Sequence, residues 1–275
     1  MTQQEVITSV QNPRIKQLLA LQQKSSDRRK SKRFVVEGQR ELQHCIDAGL
    51  QIDTVFYCPE MVPQFNVQFS AFNFQLTTVS SYVYSKIAYR GSTEGIIAIV
   101  HPPKSSLADL EEKEKGLFVI LERVEKPGNL GAILRSADAA GVTAVIVCDP
   151  LTDLYNPNLI RSSIGAIFTV PTVACTSAEC IAWLKQQGIQ ILTAQLQDSS
   201  AYYDIDMRRP TAIVMGTEST GLTPIWREAA NAHIRIPMLG KLDSLNVSVS
   251  AAILMYEAVR QRTIMSKGKE RCRNI

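Results

Sequence analysis

The stretch LFVILERVEKPGNLGAILRSADAAGVTAVIVCD, residues 117–149, decides the fold class of this chain. It begins and ends with apolar runs of strand length. The segment between them has the length of a helix, is entered through glycines and ends at Gly141. Strands that are apolar along their whole length occur mainly in parallel sheets with helices on both faces. The stretch therefore predicts an α/β fold built on a parallel sheet.

The same alternation continues toward the C-terminus. Further strands are predicted at IQILTAQ (189–195), TAIVMG (211–216) and HIRIP (233–237), with a short helix after Pro224 and a long helix over 246–262. We therefore predict one α/β domain over residues 117–275.

The N-terminal part reads as a smaller α/β unit. It contains the helical pattern IKQLLALQQK, the short strand RFVVEG and the buried-strand run GIIAIV. The segment that follows has two prolines, serines and a charge run, which are typical of a linker. We predict a first domain over 1–104 and a linker over 105–116.

Composition limits the class of protein. The chain has 275 residues, of which 45% are hydrophobic and 20% are charged, so disordered, collagenous and coiled-coil proteins are excluded. It has neither an apolar run of about 20 residues nor an N-terminal secretory pattern. The six cysteines form no CxxC pair and the three histidines lie far apart. We therefore predict no membrane span, no metal site, and free thiols in the cytoplasm.

The net charge of +4 is unevenly distributed. Residues 1–40 have nine Lys or Arg against three Asp or Glu, and residues 260–275 have six against one. Basic ends fit a polyanionic partner, because cations displace counterions from phosphates, although solvated tails have the same composition. The cations predicted to contact RNA are Arg28, Arg29, Lys30, Lys32, Arg33 and Arg40.

Two loops that follow predicted strands contain glycines and polar residues. EKPGNLGAILRSA (125–137) has the pattern GxxG, so the dinucleotide fingerprint GxGxxG is incomplete, and Arg135 follows one turn into the helix. IVMGTESTGL (213–222) lacks the lysine of a P-loop, which excludes that class of nucleotide site. Glu218 is a candidate polar anchor. Ordinary tight turns with exposed side chains would explain both segments as well.

A third loop joins the strand HIRIP to the long helix. Ser244 or Asn246 could simply cap that helix at its N-terminus. The functional interpretation is that both residues lie in a loop that faces the other two.

Together, the three segments resemble the SpoU (TrmH-type) branch of the SPOUT RNA methyltransferases. The order N-x-G-x-x-x-R, G-x-E-x-x-G-L and I-P-M followed by S-L-N-V-S is present as Asn129, Gly131 and Arg135, then Gly216, Glu218, Gly221 and Leu222, then Ile236, Pro237, Met238 and residues 244–248. The resemblance covers about residues 117–262. The front segment, through KRFVVEGQRELQ and EGIIAIV, is similar to the L30e-like substrate-binding domain often fused to these enzymes.

The resemblance implies a fold that periodicity does not reveal. The C-terminal domain would contain a deep trefoil knot, a rare exception to unknotted topology. S-adenosylmethionine would bind there through backbone contacts of Gly216, Ile236 and Leu245. Family members are homodimers whose active site is completed across the interface, so a homodimer is expected.

The implied reaction is methyl transfer to a ribose 2′-hydroxyl of RNA. The family's arginine, here Arg135, is proposed to promote deprotonation of that hydroxyl. Because the pKa of arginine lies above about 12, we expect it to clamp a phosphate and stabilise the developing alkoxide instead. Asn129 and Asn246 would position backbone or ribose, Ser244 would orient the hydroxyl, and Glu218 would order Arg135 or the loop.

Four rival functions remain open at this point. A Rossmann-type oxidoreductase and an open-sheet methyltransferase would place their glycines differently, and a non-catalytic RNA-binding relative would be expected to lose Asn129, Arg135 or the SLN segment. The front domain favours 23S ribosomal RNA as substrate, and transfer RNA is the fourth possibility. We also predict that deleting residues 1–33 weakens RNA binding while cofactor binding is retained.

Overall fold

The computed structural model describes residues 6–63, 74–91, 94–110, 115–217 and 219–273. The chain forms two compact units, one of Met1–Lys104 with Asp153–Phe168 and one of Ser105–Thr152 with Thr169–Ile275. The predicted division differs from this grouping in two segments. The later segment Asp153–Phe168 groups with the first unit, and the predicted linker groups with the second, where Leu107 and Leu110 pack against a buried apolar cluster.

The secondary-structure elements are named in chain order. The helices are α1 (Pro13–Gln23), α2 (Ser25–Ser31), α3 (Gln39–Asp47), α4 (Ser81–Ile87), α5 (Pro127–Ala139), α6 (Pro157–Ser163), α7 (Ala166–Thr169), α8 (Ser177–Gln186), α9 (Pro224–Ala229) and α10 (Val247–Arg273). The strands are β1 (Phe34–Glu37), β2 (Ile52–Tyr57), β3 (Gln75–Thr78), β4 (Ile96–Val100), β5 (Leu117–Glu122), β6 (Ala144–Cys148), β7 (Thr172–Cys175), β8 (Gln190–Ala194), β9 (Ser200–Ala201), β10 (Thr211–Met215) and β11 (Ala232–Arg235).

The first unit is built on a four-stranded mixed sheet of order β1-β4-β2-β3. Strand β4 is buried along its whole length and pairs antiparallel with β1 and β2, and β2 pairs parallel with β3. Helix α1 contributes Ile15, Leu18 and Leu21 to the core of this unit, where they are almost fully buried. Helix α1 is therefore part of the folded first unit and not a solvated tail.

The segment Asp153–Phe168 belongs to the first unit because of its aromatic and polar contacts. Phe34 of β1 stacks on Tyr155 with ring centroids 4.6 Å apart and on Phe168 at 5.8 Å. The hydroxyl of Tyr89 donates a hydrogen bond to Oδ1 of Asn158, 2.7 Å away. Sequence periodicity did not reveal these long-range contacts.

The second unit contains a seven-stranded sheet of order β7-β6-β5-β10-β8-β11-β9, in which every pairing is parallel. Every residue of β5, β6 and β10 is buried, as expected for strands covered on both faces. Helices α8 and α9 contribute to one buried cluster with these strands, while α5 and α10 pack against each other and against β5, β6 and β10. The predicted α/β fold with a parallel sheet is confirmed.

The strand order determines which loops meet. The strands that precede the three predicted loops are β5, β10 and β11, and β8 lies between the last two. In a parallel sheet the carboxyl ends of all strands lie at one edge, so these loops share that edge. The trefoil knot stays a prediction from the family resemblance. Among the described residues, no helix is long and apolar enough to cross a membrane.

Candidate active site

A hydrogen bond joins the first and third predicted loops. Asn246 donates from Nδ2 to Oδ1 of Asn129, which lies 3.2 Å away in the first turn of α5. The same Asn246 side chain accepts hydrogen bonds from the backbone N–H and the hydroxyl of Ser248, and so caps α10. Asn246 therefore caps α10 and also contacts the first loop, while its functional role stays a prediction.

A cavity of about 670 Å³ opens at the carboxyl edge of the sheet. All three residues predicted to contact the cofactor line it, namely Gly216, Ile236 and Leu245, and Ser244 lines it as well. Apolar side chains form part of its wall, beside many polar ones, and they come from Met215, Leu222, Ile234, Met238, Val247 and Leu254. Such a mixture of apolar wall and backbone edges is typical of a small-molecule site.

A smaller cavity of about 270 Å³ adjoins the first. Asn129 and Lys126 line it, and Gly216, Thr217, Ser219 and Val247 line both cavities. The structure therefore brings Asn129 next to the loop that is predicted to hold the cofactor.

Gly216 is required by the shape of its own loop. Thr217 and Gly221 form two reciprocal backbone hydrogen bonds, of 3.2 and 3.1 Å, that close the loop back on itself. A Cβ atom at position 216 would lie 2.3 Å from the backbone carbonyl of Gly221 and 2.6 Å from the nitrogen of Leu222. Gly221 itself has φ +69°, which favours glycine. The family resemblance implies a backbone contact between Gly216 and the cofactor, but close contact with the protein's own backbone already requires a glycine at this position.

A buried carboxylate fixes the far end of this loop. Glu122, the last residue of β5, accepts hydrogen bonds from the backbone N–H of Thr223 at 2.8 Å and from its hydroxyl at 2.5 Å. The hydroxyl of Ser177 also donates to Glu122, over 3.3 Å. The sequence analysis missed Glu122, because a glutamate at this position looks like the ordinary polar end of an apolar strand.

Gln195 lines the cavity and has an unsatisfied side-chain oxygen. Its Nε2 donates to the carbonyl of Gln197 at 2.9 Å, while its Oε1 is buried and has no hydrogen-bond partner among the described residues. A buried acceptor without a donor costs about 1–3 kcal/mol, so a ligand N–H or O–H that fills this position would be favoured. Sequence analysis found no signal for Gln195 beyond its place at the end of an apolar strand.

Arg135, predicted to be catalytic, lines neither cavity, and the same is true of Asn246. The Arg135 side chain is exposed on α5 and, in the part of the chain that the structure describes, has no hydrogen bond or salt bridge. It is thus available for a ligand that approaches from solvent. Glu218, predicted to order Arg135 or the loop, lies outside the described residues.

Comparison with known proteins identifies this arrangement. The model of the SpoU rRNA Methylase family matches residues 116–256, which is just over half of the chain. The chain belongs to the SpoU rRNA methylase family. An MRM3-like substrate binding domain matches residues 12–98, within the first unit.

Individual SpoU relatives extend over most of the chain. A 23S rRNA (uridine(2479)-2′-O)-methyltransferase of Streptomyces viridochromogenes is 29% identical over 271 residues, with 93% of this chain and 92% of the relative covered. The 23S rRNA (guanosine-2′-O-)-methyltransferase RlmB of Pseudomonas aeruginosa is 37% identical, covering 63% and 73%. A solved AdoMet-bound rRNA methyltransferase from Sinorhizobium meliloti is 31% identical with a TM-score of 0.86, covering 93% of this chain and 97% of that chain.

One of the RNA contacts predicted for this SpoU methylase needs correction. Arg28 is only 5% exposed, forms a salt bridge of 2.6 Å with Asp153 and donates to the carbonyl of Leu21 at 2.6 Å. Its guanidinium is therefore occupied inside the first unit. Breaking such a buried pair typically costs about 3–5 kcal/mol, so we assign Arg28 to stability and not to RNA.

The remaining cations near the SpoU methylase's N-terminus differ in availability. Arg29, Lys30 and Lys32 are exposed on α2 and at its C-terminal end. Arg33 is partly exposed and forms a salt bridge of 3.0 Å with Asp53. Burial works against ionisation of Asp53, but hydrogen bonds from His101 and Arg33 lower its pKa overall.

Arg40 lies beside a second group of charges in the first unit. It is exposed, contacts Glu41 at 2.6 Å, and lines a cavity of about 290 Å³. Arg161, from the segment that the sequence placed in the second domain, lines the same cavity together with Tyr89. The sequence analysis therefore missed Arg161 as a neighbour of the predicted RNA-contacting residues.

Proposed function

We propose that this chain transfers the methyl group of S-adenosylmethionine to a ribose 2′-hydroxyl of 23S ribosomal RNA. The observation that carries the proposal is the single cavity shared by Gly216, Ile236 and Leu245, with the Asn129–Asn246 hydrogen bond beside it. Membership of the SpoU rRNA methylase family, and full-length relatives named for 23S rRNA 2′-O-methylation, support it.

The cavity fits the methyl donor by size and by chemistry. Its volume of about 670 Å³ lies within the usual range of small-molecule sites, about 300–1,000 Å³. The apolar side chains suit an adenine ring, and the unsatisfied Oε1 of Gln195 suits a ribose hydroxyl or an amino group. Strand and loop backbone at Gly216, Ile236 and Leu245 would hold the donor in place.

When bound, S-adenosylmethionine supplies an already activated methyl sulfonium, so the protein's main tasks are orientation and charge stabilisation. Asn246 and Asn129 fix each other's amides at the edge of the site. Ser244 would orient the attacking hydroxyl. The exposed guanidinium of Arg135 would clamp the adjacent phosphate in a bidentate manner and stabilise the developing alkoxide.

We further propose a homodimer that completes the active site. Arg135 lies outside the cavity of its own chain, as expected if the site is shared. On α10, Val249 and Tyr256 are about half exposed, and their spacing of seven residues places them on one helix face. An apolar face of this kind suits a second copy. The cytoplasm, where ribosomal RNA is modified, is the proposed location.

Purified protein with 23S rRNA and methyl-labelled S-adenosylmethionine tests the proposal. The expected result is about one methyl group per RNA, located on a ribose because it blocks alkaline cleavage of the adjacent phosphodiester. Methyl transfer to tRNA and not to 23S rRNA would contradict the proposed substrate. A methyl group on a base would contradict the proposed reaction.

Replacing Gln195 by leucine is expected to lower the affinity for S-adenosylmethionine. The unsatisfied Oε1 would no longer be available to a donor, so we expect the Kd for S-adenosylmethionine to rise about 10-fold, as for one lost hydrogen bond. Isothermal titration calorimetry measures it. Gln186→Leu is the matched control, since Gln186 is exposed on α8 and does not line the cavity. Equal Kd values in wild type and Gln195→Leu would exclude this contact.

Neutralising Arg29, Lys30 and Lys32 together to glutamine is expected to weaken RNA binding at least about 10-fold at low salt. Each lost phosphate contact should also reduce the slope of log K against log salt by about 0.7–0.9. Deleting residues 1–33, which the sequence suggested, would instead remove the buried side chains of α1.

The charge-matched control for this triple variant neutralises Lys104, Lys185 and Arg208, which are exposed elsewhere. Both variants should bind S-adenosylmethionine like the wild type. If both lose RNA affinity to the same extent, net charge and not the α2 surface controls binding.

A further inference from the structure

Three cysteine sulfur atoms converge in the second unit. Those of Cys148, Cys175 and Cys180 all lie within 4.8 Å of one another. Cys148 and Cys175 are the last residues of the neighbouring strands β6 and β7 and are register partners, and Cys180 lies in α8. Cys148 and Cys180 are fully buried, whereas Cys175 is partly exposed.

We propose that Cys148, Cys175 and Cys180 form a binding site for Zn²⁺. A metal–thiolate bond of about 2.3 Å places two sulfur ligands of one tetrahedral ion about 3.8 Å apart, so small side-chain rotations would close the observed cluster around an ion. Because Cys175 is partly exposed, a water molecule or another solvent-borne ligand can reach the fourth position. Thiolates are common zinc ligands, and three protein ligands with an open fourth position is the arrangement of catalytic zinc sites.

Charge favours a divalent ion over Cu⁺, the other soft ion that thiolates select. The carboxylates of Glu179 and Asp149 lie close enough to the Cys175 thiol to act on it electrostatically. Three thiolates and a monovalent ion would have a net charge of −2, whereas three thiolates and Zn²⁺ would have a net charge of −1. The nearby carboxylates make the larger negative charge less favourable. Burial of Cys148 and Cys180 makes that difference costly.

The three thiols also act on one another. Sulfur-to-sulfur hydrogen bonds with Cys148 and Cys180 lower the pKa of Cys175, while the same contacts and burial raise the pKa of Cys148. A metal ion binds thiolates, so coordination would release protons from these thiols, and the partly exposed Cys175 marks the side from which an ion can enter.

The sequence contained only part of this signal. Cys175 and Cys180 are separated by four residues, a spacing found in zinc sites, but Cys148 lies on another strand. The parallel pairing of β6 with β7 brings it to the cluster. The site would revise the prediction that the chain has no metal site. An ion here would attach α8 to the edge strand β7, at the same edge of the sheet as the proposed cofactor cavity.

Zinc titration of the reduced full-length protein, in competition with a chromophoric chelator, tests the proposal. We expect one Zn²⁺ per chain with submicromolar affinity, and at least about 100-fold weaker binding in Cys175→Ala, which removes a ligand. Cys58→Ala is the matched control, because it removes a buried thiol of the first unit.

A second measurement remains informative if a variant folds poorly. In wild-type protein, Zn²⁺ should protect Cys175 from alkylation, read by peptide mass spectrometry, and should raise Tm by about 5 °C or more at saturating concentrations. Failure of Zn²⁺ to bind at micromolar concentration, or equal zinc affinity in Cys175→Ala and Cys58→Ala, would overturn the proposal.

Discussion

Replacing Arg135 by alanine is expected to reduce the single-turnover methyl-transfer rate by about 10²–10³-fold, the range seen when one charge-stabilising donor is removed. The Kd for S-adenosylmethionine should stay within about twofold, because Arg135 lies outside the cavity of its own chain. The free energy of unfolding should change by less than about 0.5 kcal/mol, since the side chain is exposed. Rapid-quench assays with excess enzyme measure the rate.

Arg135→Lys separates a bidentate clamp from a simple positive charge. Lysine keeps the charge but loses the planar pair of donors, so we expect it to recover less than about a tenth of the rate. Arg208→Ala is the control, because Arg208 is an exposed arginine of the same unit that pairs with Asp206 at 2.7 Å. A lysine variant with nearly full activity would contradict the clamp.

Gly216→Ala is expected to raise the Kd for S-adenosylmethionine at least about 100-fold, equivalent to about 2.7 kcal/mol of binding free energy. The added Cβ would lie 2.3 Å from the Gly221 backbone, and backbone cannot rotate away as a side chain can. The loop from Thr217 to Gly221 must therefore open, and residues of this loop line both cavities. Calorimetric titration with S-adenosylmethionine measures the loss.

Gly240→Ala is the matched control for Gly216→Ala. A Cβ at Gly240 would meet nothing within 4 Å, its φ is not in the left-handed region, and the residue belongs to the third loop without lining the cavity. It should bind S-adenosylmethionine like the wild type. If Gly216→Ala also binds normally, the closed form of the loop is not needed for the site.

Local patterns were sufficient to predict the framework of the second unit. The apolar runs of β5, β6 and β10 indicated a parallel sheet, and the strand order then brought the three loops to one edge. Ordered motifs, more than periodicity, pointed to Gly216, Ile236 and Leu245, which share one cavity. These features lie close together in sequence or follow directly from sheet geometry.

Features that depend on long-range contacts could not be predicted. Arg28 looked like one of several exposed cations, but Asp153, 125 residues away, pairs with it and buries it. Gln195 and Cys148 had no local signal, because the groups around them come from other strands and loops. Charge and motif patterns indicate which residue types could bind a ligand. Whether such a side chain is buried or already paired depends on the tertiary structure.

Mapping ribose methylation in ribosomal RNA tests the central claim most directly. Cells that lack the gene should lose one 2′-O-methyl group in 23S rRNA, and the wild-type gene should restore it while the Arg135→Ala variant should not. An unchanged methylation map, with the protein shown to be present in the parent cells, would contradict the assignment of this chain as a 23S rRNA 2′-O-methyltransferase.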